Sequence, residues 1–84
     1  MSDWEQLIYL AAFKYAIANS TAFTRLLTEA IANNITQIDT DFLMIMHQRI
    51  KSALFNGQLK GKRETSSWEW LHDRINLELT ARGN

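Results

Sequence analysis

Apolar side chains crowd the opening of the chain. In DWEQLIYLAAFKYAIAN, at 100° per residue, Trp4, Leu7, Ile8, Ala11, Tyr15 and Ala18 fall on one side of a helix and Leu10, Phe13 and Ile17 on the other. A helix apolar nearly all round is expected to be central, with neighbours on both sides. Its start is marked by a capping box, Ser2 as N-cap and Glu5 three residues on. It is expected to end near Asn19.

The next stretch, STAFTRLLTEAIANN, begins with the N-cap residues Ser20 or Thr21 and places Phe23, Leu26, Leu27, Ala30 and Ile31 on one stripe. Thr24, Arg25, Thr28 and Glu29 are then expected to face water. Asn33 and Asn34 close this helix, and Ile35 and Ile38 of the connector ITQID are expected to turn into the core. A third helix follows Asp39 or Thr40, with Phe42, Ile45, Met46, Ile50, Ala53 and Leu54 on a broad face, and Asn56 and Gly57 cap its end. Met44 and Phe55 project away from that face.

After a loop from Gln58 to Thr65, SSWE reads as a second capping box, Ser66 with Glu69. In the helix it predicts, Trp68, Leu71, Ile75 and Leu79 lie within about 80° of one another and form a core stripe. The terminal ARGN is expected to fray. The pattern as a whole predicts a small compact all-α bundle of four helices, at about 3–19, 21–33, 40–56 and 67–80. With no proline in the chain, the strongest helix breaker is missing.

Eighty-four residues suffice for one small core, so residues 1–84 read as a single domain. A hydrophobic fraction of 46%, with 11% aromatics, is far above that of a disordered, highly charged chain. The apolar opening mimics a signal sequence but lacks a basic leader and carries Asp3, Glu5 and Lys14. It reads as mature protein. The longest apolar run, Leu7 to Phe13, falls short of the roughly 20 residues of a membrane span, so no membrane partner is expected. The absence of cysteine removes disulfides and thiolate zinc sites and suits a reducing compartment, with the cytoplasm as the expected location.

Catalysis needs groups that converge. His47 and His72 stand 25 positions apart, and no HExxH, phosphate loop or paired carboxylate motif accompanies them. Both read as ordinary helix-boundary histidines, and Asp3, Glu5, Glu64 and Glu69 read as helix N-terminal carboxylates. No catalytic residue, metal ligand or cofactor is assigned. The chain is not expected to be an enzyme unless one of the histidines meets a carboxylate in a pocket.

What remains is binding. The net charge is zero, yet residues 1–42 carry two basic and five acidic side chains, a net of −3, and residues 43–84 carry seven and four, a net of +3. Such a dipole can steer an encounter. Lys60, Lys62 and Arg63 form a basic segment after Gly57, with Arg49, Lys51 and Arg74 as potential extensions. On the last helix Trp70 and Leu77 lie nearly opposite the core stripe, with Arg74 between them. Either a neighbouring segment such as Leu59 covers Trp70, or this side faces a partner; tryptophan and arginine are the residues most enriched at interface hot spots.

These features point to a non-catalytic protein-interaction module, a small regulator, adaptor or inhibitor. It would dock through Trp70, Arg74 and Leu77, with Lys60, Lys62 and Arg63 steering approach to a protein partner. Small size and missing catalytic groups suit an accessory protein of a phage or plasmid. Two alternatives stand beside this: self-association as a homodimer through the same apolar surface, and nucleic-acid binding through the basic half. Nucleic acid is the weaker alternative, because the third helix is too apolar for a reading helix and Glu69, Asp73 and Glu78 on the fourth repel phosphates.

Overall fold

A computed structural model describes residues 1–19, 22–59 and 62–83. Among them the chain forms four α-helices and a short 3-10 turn, and no strand. The helices are α1 (Asp3–Asn19), α2 (Thr24–Asn33), α3 (Thr40–Phe55) and α4 (Lys62–Ala81), with the turn at Ile35–Gln37 between α2 and α3.

The expected N-cap of α1 and C-cap of α3 form, while Asp39 stands at the N-cap position of α3 without a side-chain capping bond. The Glu5 amide donates to Ser2 Oγ at 3.2 Å and Ser2 Oγ donates to the Glu5 carboxylate at 3.1 Å. At the end of α3, Gly57 takes the left-handed φ of +69°, its amide donates to Leu54 O and the Gln58 amide reaches back to Ala53 O at 3.0 Å. That is a Schellman closure, in which glycine avoids the Cβ clash. Asn34 ends α2 differently, with φ of −111° rather than a left-handed value. Its side-chain amide donates to Ala30 O and to Tyr9 Oη, which satisfies a last-turn carbonyl and lets the chain run on into the 3-10 turn. Ser20 and Thr21, the candidate caps of α2, lie outside the described residues.

The core is built from Phe13 and Ile17 of α1, Ile31 of α2, Ile35 and Ile38 of the connector, Leu43, Met46 and Ile50 of α3, and Trp68, Leu71, Ile75 and Leu79 of α4. The connector isoleucines and the α4 stripe are buried as the pattern predicts. Four expectations are corrected.

First, α4 rather than α1 is the central helix: it packs along both α2 and α3, whereas α1 lies against α2 and α3 with one side only. The Phe13 side of α1 satisfies the core, and its opposite apolar side faces outward. Second, α2 is rotated from its expected setting. Thr24 and Thr28 are buried and Leu26 is 69% exposed. Thr28 Oγ1 donates to Arg25 O at 2.9 Å, so its hydroxyl is satisfied locally and a small side chain can fill the seam with α4. In α3, similarly, Leu43 is buried while Ile45 is about half-exposed.

Third, α4 begins at Lys62, so Ser66 sits inside the helix and is not its cap. Lysine, arginine and glutamate are good helix formers, and the motif's spacing is equally compatible with a helix interior. Thr65 Oγ1 donates to Leu59 O at 2.7 Å, which ties this early turn to the segment before it. Fourth, Arg82 does not fray. Its guanidinium bonds Glu78 at 2.8 Å, Thr40 Oγ1 at 3.1 Å and Ile35 O at 3.0 Å, clamping the end of α4 to the α2–α3 connection.

Candidate docking surface

Trp68 and Trp70 divide α4 into two sides. Trp68 is fully buried, while two residues on, about 200° around the helix, Trp70 remains 45% exposed. Arg74 and Leu77 follow at i+4 and i+7 from Trp70, the spacing that keeps side chains on one face, and Leu77 is 63% exposed. These three sequence-assigned residues therefore share a surface. Leu59 is itself buried in the core, and the chain covers Trp70 only in part.

Trp70 borders a shallow cleft of about 260 Å³ between α2 and α4, lined by Arg25, Thr28, Glu29, Ser66 and Ser67. Arg25 and Glu29 form an i,i+4 ion pair across its rim at 3.3 Å. The pair is solvent-exposed, so its contribution to stability is small. It gives the cleft one cation and one anion beside an indole.

The basic segment is placed differently from the expectation. The backbone of Lys62 and Arg63 belongs to the first turn of α4 rather than to a loop. Lys60, and the side chains of Lys62 and Arg63, lie outside the described residues. Of the potential extensions, Arg49 is engaged, its guanidinium donating to Gln58 Oε1 at 3.1 Å.

The two histidines, distant in sequence, meet. The imidazoles of His47 on α3 and His72 on α4 stack with centroids 4.2 Å apart and planes 20° from parallel. Burial holds His47 below its ordinary pKa, and the neighbouring His72 and Lys51 act in the same direction. His72 Nδ1 lies 3.5 Å from the carboxylate of Asp73, which is exposed. The histidine stack is what sequence separation concealed, whereas the carboxylate is simply the sequence neighbour of His72. An adjacent, exposed carboxylate adds little orientation to an imidazole. Among the described residues no group of three or more histidines and carboxylates is placed to hold a metal ion.

Sequence reasoning also assigned the outward side of α1 to the core. Trp4 is 71% exposed, and Leu7, Ile8 and Tyr15 are each half-exposed or more. Tyr15 stacks on Phe23, centroids 6.2 Å apart and planes 6° from parallel, so the apolar surface continues from α1 to the entry of α2. The signal that orients α1 is Gln6, the lone polar residue on the Phe13 side: its Oε1 accepts the Asp39 amide at 2.7 Å, anchoring α1 to the start of α3.

No helix among the described residues is long and apolar enough to cross a membrane. The chain matches no known family model, and neither the curated proteins nor the solved structures include one significantly similar to it.

Proposed function

We propose that the chain is a non-catalytic protein-interaction module, a small regulator, adaptor or inhibitor that acts in a reducing, cytoplasmic setting by docking α4 on a larger protein. The observation that carries this reading is the exposure of Trp70 and Leu77 on one face of a helix whose opposite face is fully buried. An indole left half in water beside a cleft is poised to be desolvated by a partner, and such tryptophans commonly dominate binding energy. Arg74 on the same face supplies a fork of donors for a partner carboxylate or carbonyl. Lys60, Lys62 and Arg63, at or near the start of the same helix, would raise the rate of encounter with an acidic surface rather than its final affinity.

The experiment is affinity capture on immobilised protein, with Trp70→Ala and Leu77→Ala as controls that leave the buried stripe intact. A partner retained by the parent chain and lost by both variants is the expected result. An unchanged set of retained partners would remove Trp70 and Leu77 from the binding surface.

A further inference from the structure

The outward face of α1 has a regular pattern. Trp4, Ile8, Ala11, Tyr15 and Ala18 are spaced 4-3-4-3, the seam spacing of two helices packed side by side, and all five are exposed. Leu7 flanks the seam, and Phe23 extends it through its stack on Tyr15. We propose that this face is an isologous homodimer interface, in which α1 of one copy packs antiparallel against α1 of a second copy about a two-fold axis at Ala11. It lies apart from the Trp70 face of α4, and neither surface depends on the other.

Three observations select a second copy and this orientation. The first is size complementarity. A two-fold at Ala11 sets Trp4, the largest seam residue, over Ala18 of the other copy, brings Ala11 against its own mate, and places Leu7 opposite Tyr15. Large thus meets small at both ends of the seam, and the small Ala11 pair lets the two helices approach closely at the axis. In a parallel pair the two Trp4 side chains would collide at one end and the two Ala18 residues would leave a gap at the other.

The second is charge. Apart from Lys14 at its edge, the seam carries no charged residue, and the acidic first turn holds Asp3 and Glu5. Antiparallel packing keeps the acidic turns of the two copies apart by about the length of the helix, and it opposes the two helix dipoles. Parallel packing would bring four carboxylates together.

The third is area. At about 200 Å² for a large side chain, the exposed fractions of Trp4, Leu7, Ile8, Tyr15 and Phe23 amount to about 540 Å² per copy. Two copies would bury about 1,080 Å², just above the roughly 1,000 Å² that a specific interface clears, while a monomer would leave exposed about as large an apolar patch as monomers show.

The test combines solution mass with crosslinking. Sedimentation across about 5–500 μM is expected to give a reversible monomer–dimer equilibrium, as a small interface implies. Ala11→Glu, which sets two carboxylates face to face at the axis but lies in solvent in the monomer, is expected to leave helix content unchanged and to weaken the dimer at least tenfold. Because the chain has no cysteine, Ala11→Cys is expected to form a disulfide-linked dimer under mild oxidation. Ala18→Cys is not, since antiparallel packing holds the two Ala18 positions about 21 Å apart. A monomer at every concentration, or a dimer indifferent to Ala11→Glu with no Ala11→Cys crosslink, would overturn the proposal. Crosslinking through Ala18→Cys as readily as through Ala11→Cys would show parallel packing and overturn it as well. If Ala11→Glu fails to fold, the two cysteine variants decide.

Discussion

Phe13 of α1 meets Trp68 of α4 edge to face, with ring centroids 5.4 Å apart and planes at 89°, and both side chains are fully buried. This contact ties the peripheral helix to the central one through the middle of the core. Edge-to-face pairs add about 0.5–1.5 kcal/mol beyond the area they bury. Trp68→Ala is expected to cost about 3–5 kcal/mol, enough to unfold a domain with a core this small. Phe13→Leu, which keeps most of the volume, is expected to cost about 1–2 kcal/mol. Urea denaturation followed by circular dichroism checks both; a Trp68→Ala midpoint equal to that of the parent would contradict the core placement.

Gln6 is buried, and its Oε1 accepts the Asp39 amide at 2.7 Å. Replacing it with alanine removes an acceptor from a partly buried donor at the α3 N-terminus, which costs about 1–3 kcal/mol. Gln6→Ala is expected to lower the urea midpoint and to accelerate hydrogen exchange at the Asp39 amide. Unchanged exchange there would mean that the anchor is not formed in solution.

Arg82 joins Glu78, Thr40 and the Ile35 carbonyl, three separate parts of the chain. The planar fork makes this possible, and a lysine ammonium cannot reproduce the same directions. Arg82→Ala and Arg82→Lys are both expected to cost about 1–3 kcal/mol by the same denaturation assay. Full rescue by lysine would reduce the clamp to simple charge.

His47 gives the fold a defined pH response. Its pKa is below 6.5, chiefly through burial and then through His72 and Lys51, so on acidification the unfolded chain takes up the proton first. Stability is therefore full above about pH 6.5 and is lost as pH falls from there toward the folded value. The urea midpoint is expected to drop between pH 7.5 and 5.5, and to drop less in His47→Gln. Parallel curves for the two proteins would show that His47 does not govern the response.

The order and type of the helices were legible because capping and periodicity agree: the Ser2–Glu5 box, the Asn56–Gly57 closure and the Trp68 stripe stand where the pattern places them. The orientation of α1 and α2 was not. Both sides of α1 are apolar, so periodicity alone cannot choose between them, and the choice falls to one buried glutamine. In α2 a locally satisfied threonine hydroxyl packs inward more readily than its polarity suggests, leaving Leu26 outside. Of the candidate site, the Trp70–Arg74–Leu77 face followed from helical spacing, whereas the His47–His72 stack arises from the packing of α3 on α4 and leaves no local mark in the sequence.

Docking through the Trp70 face and docking through charge differ in their salt dependence. The decisive measurement is the affinity of the captured partner for the parent chain and for Trp70→Ala, each at about 50 and 200 mM salt. The expected result is a loss of at least tenfold on Trp70→Ala with only a small change between the two salt concentrations. Parent affinity retained by Trp70→Ala, together with a steep fall in salt, would contradict it and transfer the function to the basic segment.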